Sequence, residues 1–308
     1  MRRIFLAACL LGAAAPAAAQ PNLDAVQIRV ERLAPGVAVL FGAGGNIGLS
    51  YGADGNVLID DQFAPLTDRI VAAVATVDPG PIRFVINTHW HGDHTGGNEN
   101  LGRRGAVIVA HDNVRRRMST AQMLRGEMTR PSAPGALPVV TFAEGVTFHL
   151  NGDTIRVAHV AHAHTDGDAF IHWTGANVLH MGDTFFNGML PFIDLESGGS
   201  VDGLLRAVDA ALVMTNDTTR IIPGHGPVAT RADLISYRDR IRSVRDRVAA
   251  EIGRGRTLEQ IQALRLADAY GKSSDFIPPA RFVEAVYNSL RSPAHGHGGG
   301  SHTHGERG

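Results

Sequence analysis

The chain has 308 residues, 44% of them apolar and 19% charged, which suits a globular protein with a full core and excludes a disordered chain. A formal charge of -1 and a pI near 7.0 supply no strong field for nucleic acid or an anionic membrane, so a polyanionic partner is not expected. Arginine heavily outnumbers lysine, whose one instance is Lys272, and the single cysteine, Cys9, excludes a disulfide framework.

At the N-terminus, Arg2 and Arg3 precede an apolar stretch from Ile4 to about Ala15, and Ala17-Ala18-Ala19 stand before Gln20. This is the layout of a secretory signal with a small-residue cleavage site. Residues 1–19 are therefore expected to be a cleaved signal peptide, with export to the periplasm and no stable membrane anchor. The stretch is too short for a spanning helix. Leu6-Ala7-Ala8-Cys9 looks like a lipobox, but it lies too close to the start to leave an adequate apolar region. Cys9 would leave with the signal, which removes thiolate nucleophiles and cysteine ligands from the mature chain.

Short strand-like runs follow at residues 26–33, 37–41, 47–51 and 56–59, separated by glycine, proline and asparagine turn signals. They predict an antiparallel meander. Leu66, Ile70, Val71, Val74 and Val77 recur at helical spacing over residues 65–77, and an apolar, β-branched run at 82–87 predicts a buried strand. A strand at 107–110 and a helix over 113–125 come next. The second half predicts strands near 139–142, 146–150, 154–160, 169–173 and 177–181, a helix over 201–214 and a strand at 220–222. Two sheets, each covered by helices on its outer face, bury all these surfaces most simply. Residues 20–231 are expected to form this main domain. Amphipathic helices over 234–252 and 280–290, within 232–291, should pack on it as an appendage. The tail, 292–308, is rich in glycine, carries His295, His297, His302 and His304, and is expected to be disordered.

The densest chemical signal is His89-Trp90-His91-Gly92-Asp93-His94, four metal-capable side chains directly after the 82–87 strand. Imidazole and carboxylate suit Zn²⁺ when no thiolate is available, and His-x-His lets two rings reach one ion. Asp93 and His94 cannot easily reach the ion that both flanking rings face. Two metals side by side are therefore expected, with His89 and His91 on one, Asp93 and His94 on the other. Further donors must come from elsewhere, and three candidates stand at strand ends: His164, with His159 and His162 as close competitors, Asp183, which could bridge two ions, and His225 in Pro223-Gly224-His225-Gly226. For Asp183 the bland alternative is a helix N-cap, and for His225 an ordinary turn histidine. His111, His149, His172 and His180 lack partner spacing and read as strand or surface residues.

In this order and separation, the His-Trp-His-Gly-Asp-His run, His164, Asp183 and His225 resemble the metallo-β-lactamase superfamily, over roughly residues 25–230. The resemblance implies a four-layer αββα sandwich with a dinuclear site at the rim between the sheets, two Zn²⁺ per chain, and Asp60, next to Asp61, supporting the metal loop. It implies His89, His91 and His164 on the first ion, Asp93, His94 and His225 on the second, and Asp183 bridging. His91, where the di-iron branch has glutamate, disfavours electron transfer, and Asp183 makes the set similar to glyoxalase II and related hydrolases. Phe185 and Phe186 stand where some β-lactamases hold the substrate carboxylate with a lysine, which argues against dedicated lactam hydrolysis. Export argues against glyoxalase II proper.

The implied function is periplasmic hydrolysis of a small molecule with an ester, thioester or lactam carbonyl. Two bridged zinc ions would bring the pKa of water from about 16 to the region of 7, so that hydroxide forms without a strong base. Asp93 would orient it. Phe185, Phe186, Met189, Leu190 and Phe192 are candidates for an apolar lip around the substrate. A reading from another class is a non-catalytic periplasmic zinc-binding or buffering protein with the histidine tail as feeder.

Overall fold

The computed structural model describes residues 23–292. The expected signal peptide and histidine-rich tail lie outside these residues. In chain order, strands β1 (Arg29–Ala34), β2 (Val37–Phe41), β3 (Ile47–Ser50) and β4 (Asn56–Ile59) lead into helix α1 (Thr67–Ala75) and β5 (Ile82–Ile86). Short helices α2 (Gly92–Thr95) and α3 (Asn98–Arg103), strand β6 (Val107–His111) and α4 (Asp112–Met118) follow. Next come a hairpin, β7 (Gln122–Leu124) and β8 (Glu127–Thr129), and strands β9 (Val140–Phe142), β10 (Gly145–Leu150), β11 (Asp153–Val160), β12 (Asp168–Trp173) and β13 (Val178–His180). The chain continues through α5 (Val201–Met214), β14 (Arg220–Ile222), α6 (Arg231–Gly253), α7 (Leu258–Gln262) and α8 (Pro279–Arg291).

One sheet has the order β1-β2-β3-β4-β5-β6-β9, and a second runs β10-β11-β12-β13-β14. The first begins as the expected antiparallel meander through β4 and becomes parallel across β4, β5, β6 and β9. Alternation along the strands explains the layering, because successive side chains point to opposite faces. Val37, Val39, Val57, Ile59, Ile86 and Val109 meet Ile155, Val157, Ile171, Trp173 and Ile222 of the second sheet. Their neighbours Ala38, Leu40, Leu58, Val85 and Ile108 face the other way, onto Ile70 and Val74 of α1 and Leu101 of α3. Strands buried on both faces read as continuous apolar runs, as residues 37–41 do.

The outer face of the second sheet, with Phe170, Leu179 and Ile221, is covered by α5, α6 and α8. Leu204 and Val208 of α5, Tyr237 and Ile241 of α6, and Phe282 and Val286 of α8 share one buried cluster. The molecule is thus the expected αββα sandwich, and its C-terminal helices are part of the fourth layer. A capping box starts α6, with Thr230 Oγ1 accepting from the Asp233 amide and Asp233 accepting from Thr230.

One element differs from expectation. The helix predicted over 113–125 stops at Met118. The Ser119 and Thr120 hydroxyls turn back onto the carbonyls of Arg115 and Arg116. The chain then forms the β7–β8 hairpin, whose two-residue turn places both Arg125 (φ 56) and Gly126 (φ 80) in the left-handed region.

Candidate metal centre

Every expected ligand sits just beyond the end of a strand, on one rim of the two sheets. His89 and His91 follow β5, while Asp93 and His94 ride on α2. His164 follows β11, Asp183 lies in a turn after β13, and His225 follows β14. Two groups of donor atoms result, His89, His91, His164 and Asp183 in one, and Asp93, His94 and His225 in the other, each within 4.8 Å.

The Asp183 carboxylate is shared between them. Its Oδ2 faces His89 Nε2 (3.8 Å) and His164 Nε2 (3.6 Å), whereas Oδ1 faces His94 Nε2 (3.1 Å) and His225 Nε2 (3.5 Å). Asp93 Oδ2 stands 3.3 Å from His225 Nε2 and 3.6 Å from His94 Nε2. In the first group, His91 Nδ1 lies 3.1 Å from His89 Nε2 and 2.9 Å from His164 Nε2.

The outward nitrogens of these rings are committed elsewhere, which fixes the tautomers. His94 Nδ1 donates to Asp60 Oδ2 (2.7 Å) and His91 Nε2 to Asp194 Oδ2 (2.9 Å). His164 Nδ1 donates to the Phe192 carbonyl (2.9 Å). His89 Nδ1 meets Thr88 Oγ1 (3.0 Å), whose hydroxyl donates to Asp60 (2.7 Å). The remaining ring nitrogens converge on the Asp183 and Asp93 carboxylates. His94 Nε2 and Asp183 Oδ1 are buried 3.1 Å apart without a well-aligned hydrogen bond, an arrangement that a cation held by both would relieve.

The electrostatics separate the two groups. Burial drives His89 well below the ordinary imidazole value and His164 down to about 4, so both are neutral donors. Burial pushes Asp93 upward, but His94 and His225 outweigh it and hold the carboxylate at about 2. Asp183 likewise resists burial and stays well below the usual range beside His225 and His94. For His94 and His225 burial works downward, but Asp183 and Asp93 reverse it, raising His94 well above the ordinary imidazole value and His225 to about 9, so both carry a proton that a metal would displace. This donor set suits a divalent metal with a preference for nitrogen and oxygen ligands.

Close approach of the backbone shapes the pocket. A Cβ on Gly45 would lie 2.1 Å from the His94 ring, and one on Gly224 2.0 Å from Asp183 Oδ1. The β2–β3 turn is tied to the ligand loops. The Gly45 amide donates to the Asp93 carbonyl (3.1 Å), the Asn46 amide to that of Gly224 (2.7 Å), and Asn46 Nδ2 to those of Pro223 (2.9 Å) and Gly226 (2.8 Å).

The site opens into a cavity of about 1010 Å³ lined by Asp93, Asp183 and His225 with Phe41, Phe63 and Met189. Of the expected apolar lip, Met189 and Phe192 line this cavity, but Phe185 and Phe186 do not. That expectation is corrected: both rings are buried in the core. Phe185 packs on Tyr237 (4.9 Å), and Phe186 stacks on the His225 ring at 5.2 Å, so it braces a ligand instead of touching the solvent-filled space. Leu190 is also buried.

Asp60 is fully buried and accepts from the Thr88 amide (2.8 Å) as well as from His94 and the Thr88 hydroxyl. Asp61 instead accepts from the Gly97 amide (2.8 Å). His159 stacks on His111 at 3.7 Å, and His162 Nδ1 meets the Gly198 carbonyl, so neither competitor joins the donor groups. Asp194 was missed in the sequence, since nothing near it in the chain announces a partner 103 residues away.

Residues 41–225, more than half the chain, match the family model described as the metallo-beta-lactamase superfamily. The chain belongs to the metallo-beta-lactamase superfamily. Within that superfamily it is 30% identical to a hydroxyacylglutathione hydrolase from Polaromonas sp. over 163 residues, covering 52% of this chain and 55% of that one. A hydroxyacylglutathione hydrolase from Nitrosococcus oceani is 28% identical over 170 residues, with the same coverage. The chain thus spans about half the length of the curated relatives it matches. Among solved structures, a sec-alkylsulfatase from Pseudomonas sp. superposes with a TM-score of 0.63 at 18% identity, over 85% of this chain and 50% of that one. A metallo-beta-lactamase from Pontibacter korlensis gives a TM-score of 0.56 at 20% identity, over 69% of this chain and 99% of that one. These likenesses show the superfamily's fold.

Proposed function

We propose that the chain is a dinuclear zinc hydrolase acting on an ester, thioester or lactam carbonyl of a small molecule. The observation that carries this reading is the shared Asp183 carboxylate, one oxygen toward each donor group, at the floor of an open cavity. His89, His91 and His164 would hold one ion and Asp93, His94 and His225 the other. When bound, the metals supply Lewis acidity toward a carbonyl and lower the pKa of water from about 16 to the region of 7.

The chain's own groups do the rest. Asp60 and Asp194 fix the ring orientations of His94 and His91. Asp93, ionised and facing the cavity, would accept a hydrogen bond from the attacking water and orient it toward the substrate. Phe41, Phe63, Met189 and Phe192 exclude water from the apolar part of the substrate. The similarity to hydroxyacylglutathione hydrolases supports thioesters within this class.

The test is a panel of chromogenic lactams, lactones and thioesters offered to protein carrying two zinc ions. Turnover of at least one member, abolished by chelator and restored by zinc, is expected. No turnover of any member by fully loaded protein would overturn the reading and favour a zinc-binding role. Export to the periplasm is part of the same proposal and rests on the Arg2-to-Ala19 sequence pattern. The mature chain should begin at Gln20 by intact mass, and a periplasmic extract should contain it.

A further inference from the structure

Arg125 stands at the tip of the β7–β8 hairpin, where its guanidinium lies 4.3 Å from the Phe276 ring centre and 4.8 Å from that of Phe192. Both distances are within range for a cation held on an aromatic face. The residue lines the large cavity above the donor groups and also a neighbouring cavity of about 470 Å³, so it forms part of the wall between them. Other cations of these walls are paired, Arg29 with Glu31 and Arg281 with Glu284. Arg125 makes no hydrogen bond or ion pair among the described residues. Its planar fork of donors is free, and flat rings hold it in place.

The backbone adds a second observation. Arg125 occupies a left-handed position (φ 56) that asparagine or glycine usually fills in such a turn. A long cationic side chain placed there at a conformational cost points to a use for the side chain itself. Arg125 is exposed on the hairpin, with Phe192 and Phe276 against its guanidinium and its remaining donors open to the cavity beside Asp93. A guanidinium held on flat rings keeps its planar fork oriented for bidentate contact with a carboxylate.

We propose, resting on the hydrolase reading above, that Arg125 is a specificity-determining residue that binds a single carboxylate on the substrate. The substrate's apolar portion lies on Phe41, Met189 and Phe192 in the large cavity. The substrate class is therefore an amphiphile, an apolar body bearing both a hydrolysable carbonyl and one anionic group. The formal charge of -1 on the whole chain fits a single anion held locally.

Calorimetric titration of the zinc-loaded protein with phenylbutyrate and with phenylbutanol tests this without turnover. The acid should bind roughly tenfold more tightly than the alcohol, the worth of one charge-assisted contact. Arg125→Met, which keeps an apolar stem on the two rings, should erase that difference while zinc content and melting temperature stay constant. Arg125→Lys should keep part of it. Equal binding of acid and alcohol by the unmodified protein overturns the proposal. So does an acid preference that survives in Arg125→Met, since the metals alone would then be its source. A retained, Arg125-dependent preference in protein that hydrolyses nothing on the panel would sink the hydrolase reading and leave the anion site standing.

Discussion

At the scale of single residues, the site depends as much on the partners of its ligands as on the ligands. His91 presents Nδ1 inward because Asp194 accepts a hydrogen bond from its Nε2–H, and His94 presents Nε2 because Asp60 accepts from its Nδ1–H. Removing such a partner weakens metal affinity by about 10–100-fold in comparable sites. Asp194→Ala should therefore bind its first zinc that much more weakly in a chelator competition, with the fold intact by circular dichroism. Gly45→Ala makes a sharper demand, because its Cβ would collide with the His94 ring. Metal analysis should find one ion lost and the group around His89 still filled. Protons compete at the same atoms. His225 in the metal-free chain is pushed up to about 9, so below that value metal binding must release a proton there. His94 in the same group is also raised, so zinc affinity there should rise with pH through and beyond that value and fall as the medium becomes acidic, which titrations at several pH values would read directly. The ligands were legible because short runs carry them, four within six residues. Asp194 was not, since its role exists only after two distant loops meet.

At the scale of elements, the periodicity of apolar positions carried most of the information. Residues 201–214 gave a helix whose stripe, Leu204, Leu205, Val208 and Leu212, is the one that packs inward. Residues 113–125 misled, because Val114 and Met118 continue a helical spacing that the Ser119 and Thr120 hydroxyls end. Hydroxyl side chains that compete for helix carbonyls are a local signal, but a weak one. The C-terminal helices test the layering. Phe282 of α8 is fully buried in the cluster shared with α5 and α6. Phe282→Ala should destabilise the protein by about 3–5 kcal/mol in denaturant melts. Thr230→Ala, at the start of α6, should cost only about 1 kcal/mol, since it removes a cap and leaves packing untouched. A reversed order of these two effects would mean that α8 is not integral to the fourth layer.

At the scale of the whole molecule, the metal centre draws ligands from both sheets, His89 and His91 from the end of β5 and His164, Asp183 and His225 from the ends of β11, β13 and β14. Metal binding therefore clamps the rim of the sandwich, and its free energy adds to folding. At free zinc about a thousandfold above Kd the linkage is worth about 4 kcal/mol, or on the order of 10 °C in melting temperature. Scanning calorimetry with and without chelator should show a shift of that size. The sandwich itself was legible from strand count and burial pattern, whereas the depth of the cavity was not, because its walls come from separate turns.

Those walls differ in how they are attached. The β2–β3 turn is stitched through Gly45 and Asn46 to the loops that carry Asp93 and His225. Leu124 and Arg125 of the wall belong to the β7–β8 hairpin, a two-stranded sheet that pairs with neither large sheet. A change on the stitched wall disturbs ligand geometry at once, so that wall has little room to diverge. The hairpin is the exchangeable part. Grafting different turns onto residues 122–129 should alter which substrates are accepted while metal loading holds, a handle on selectivity that leaves the chemistry alone.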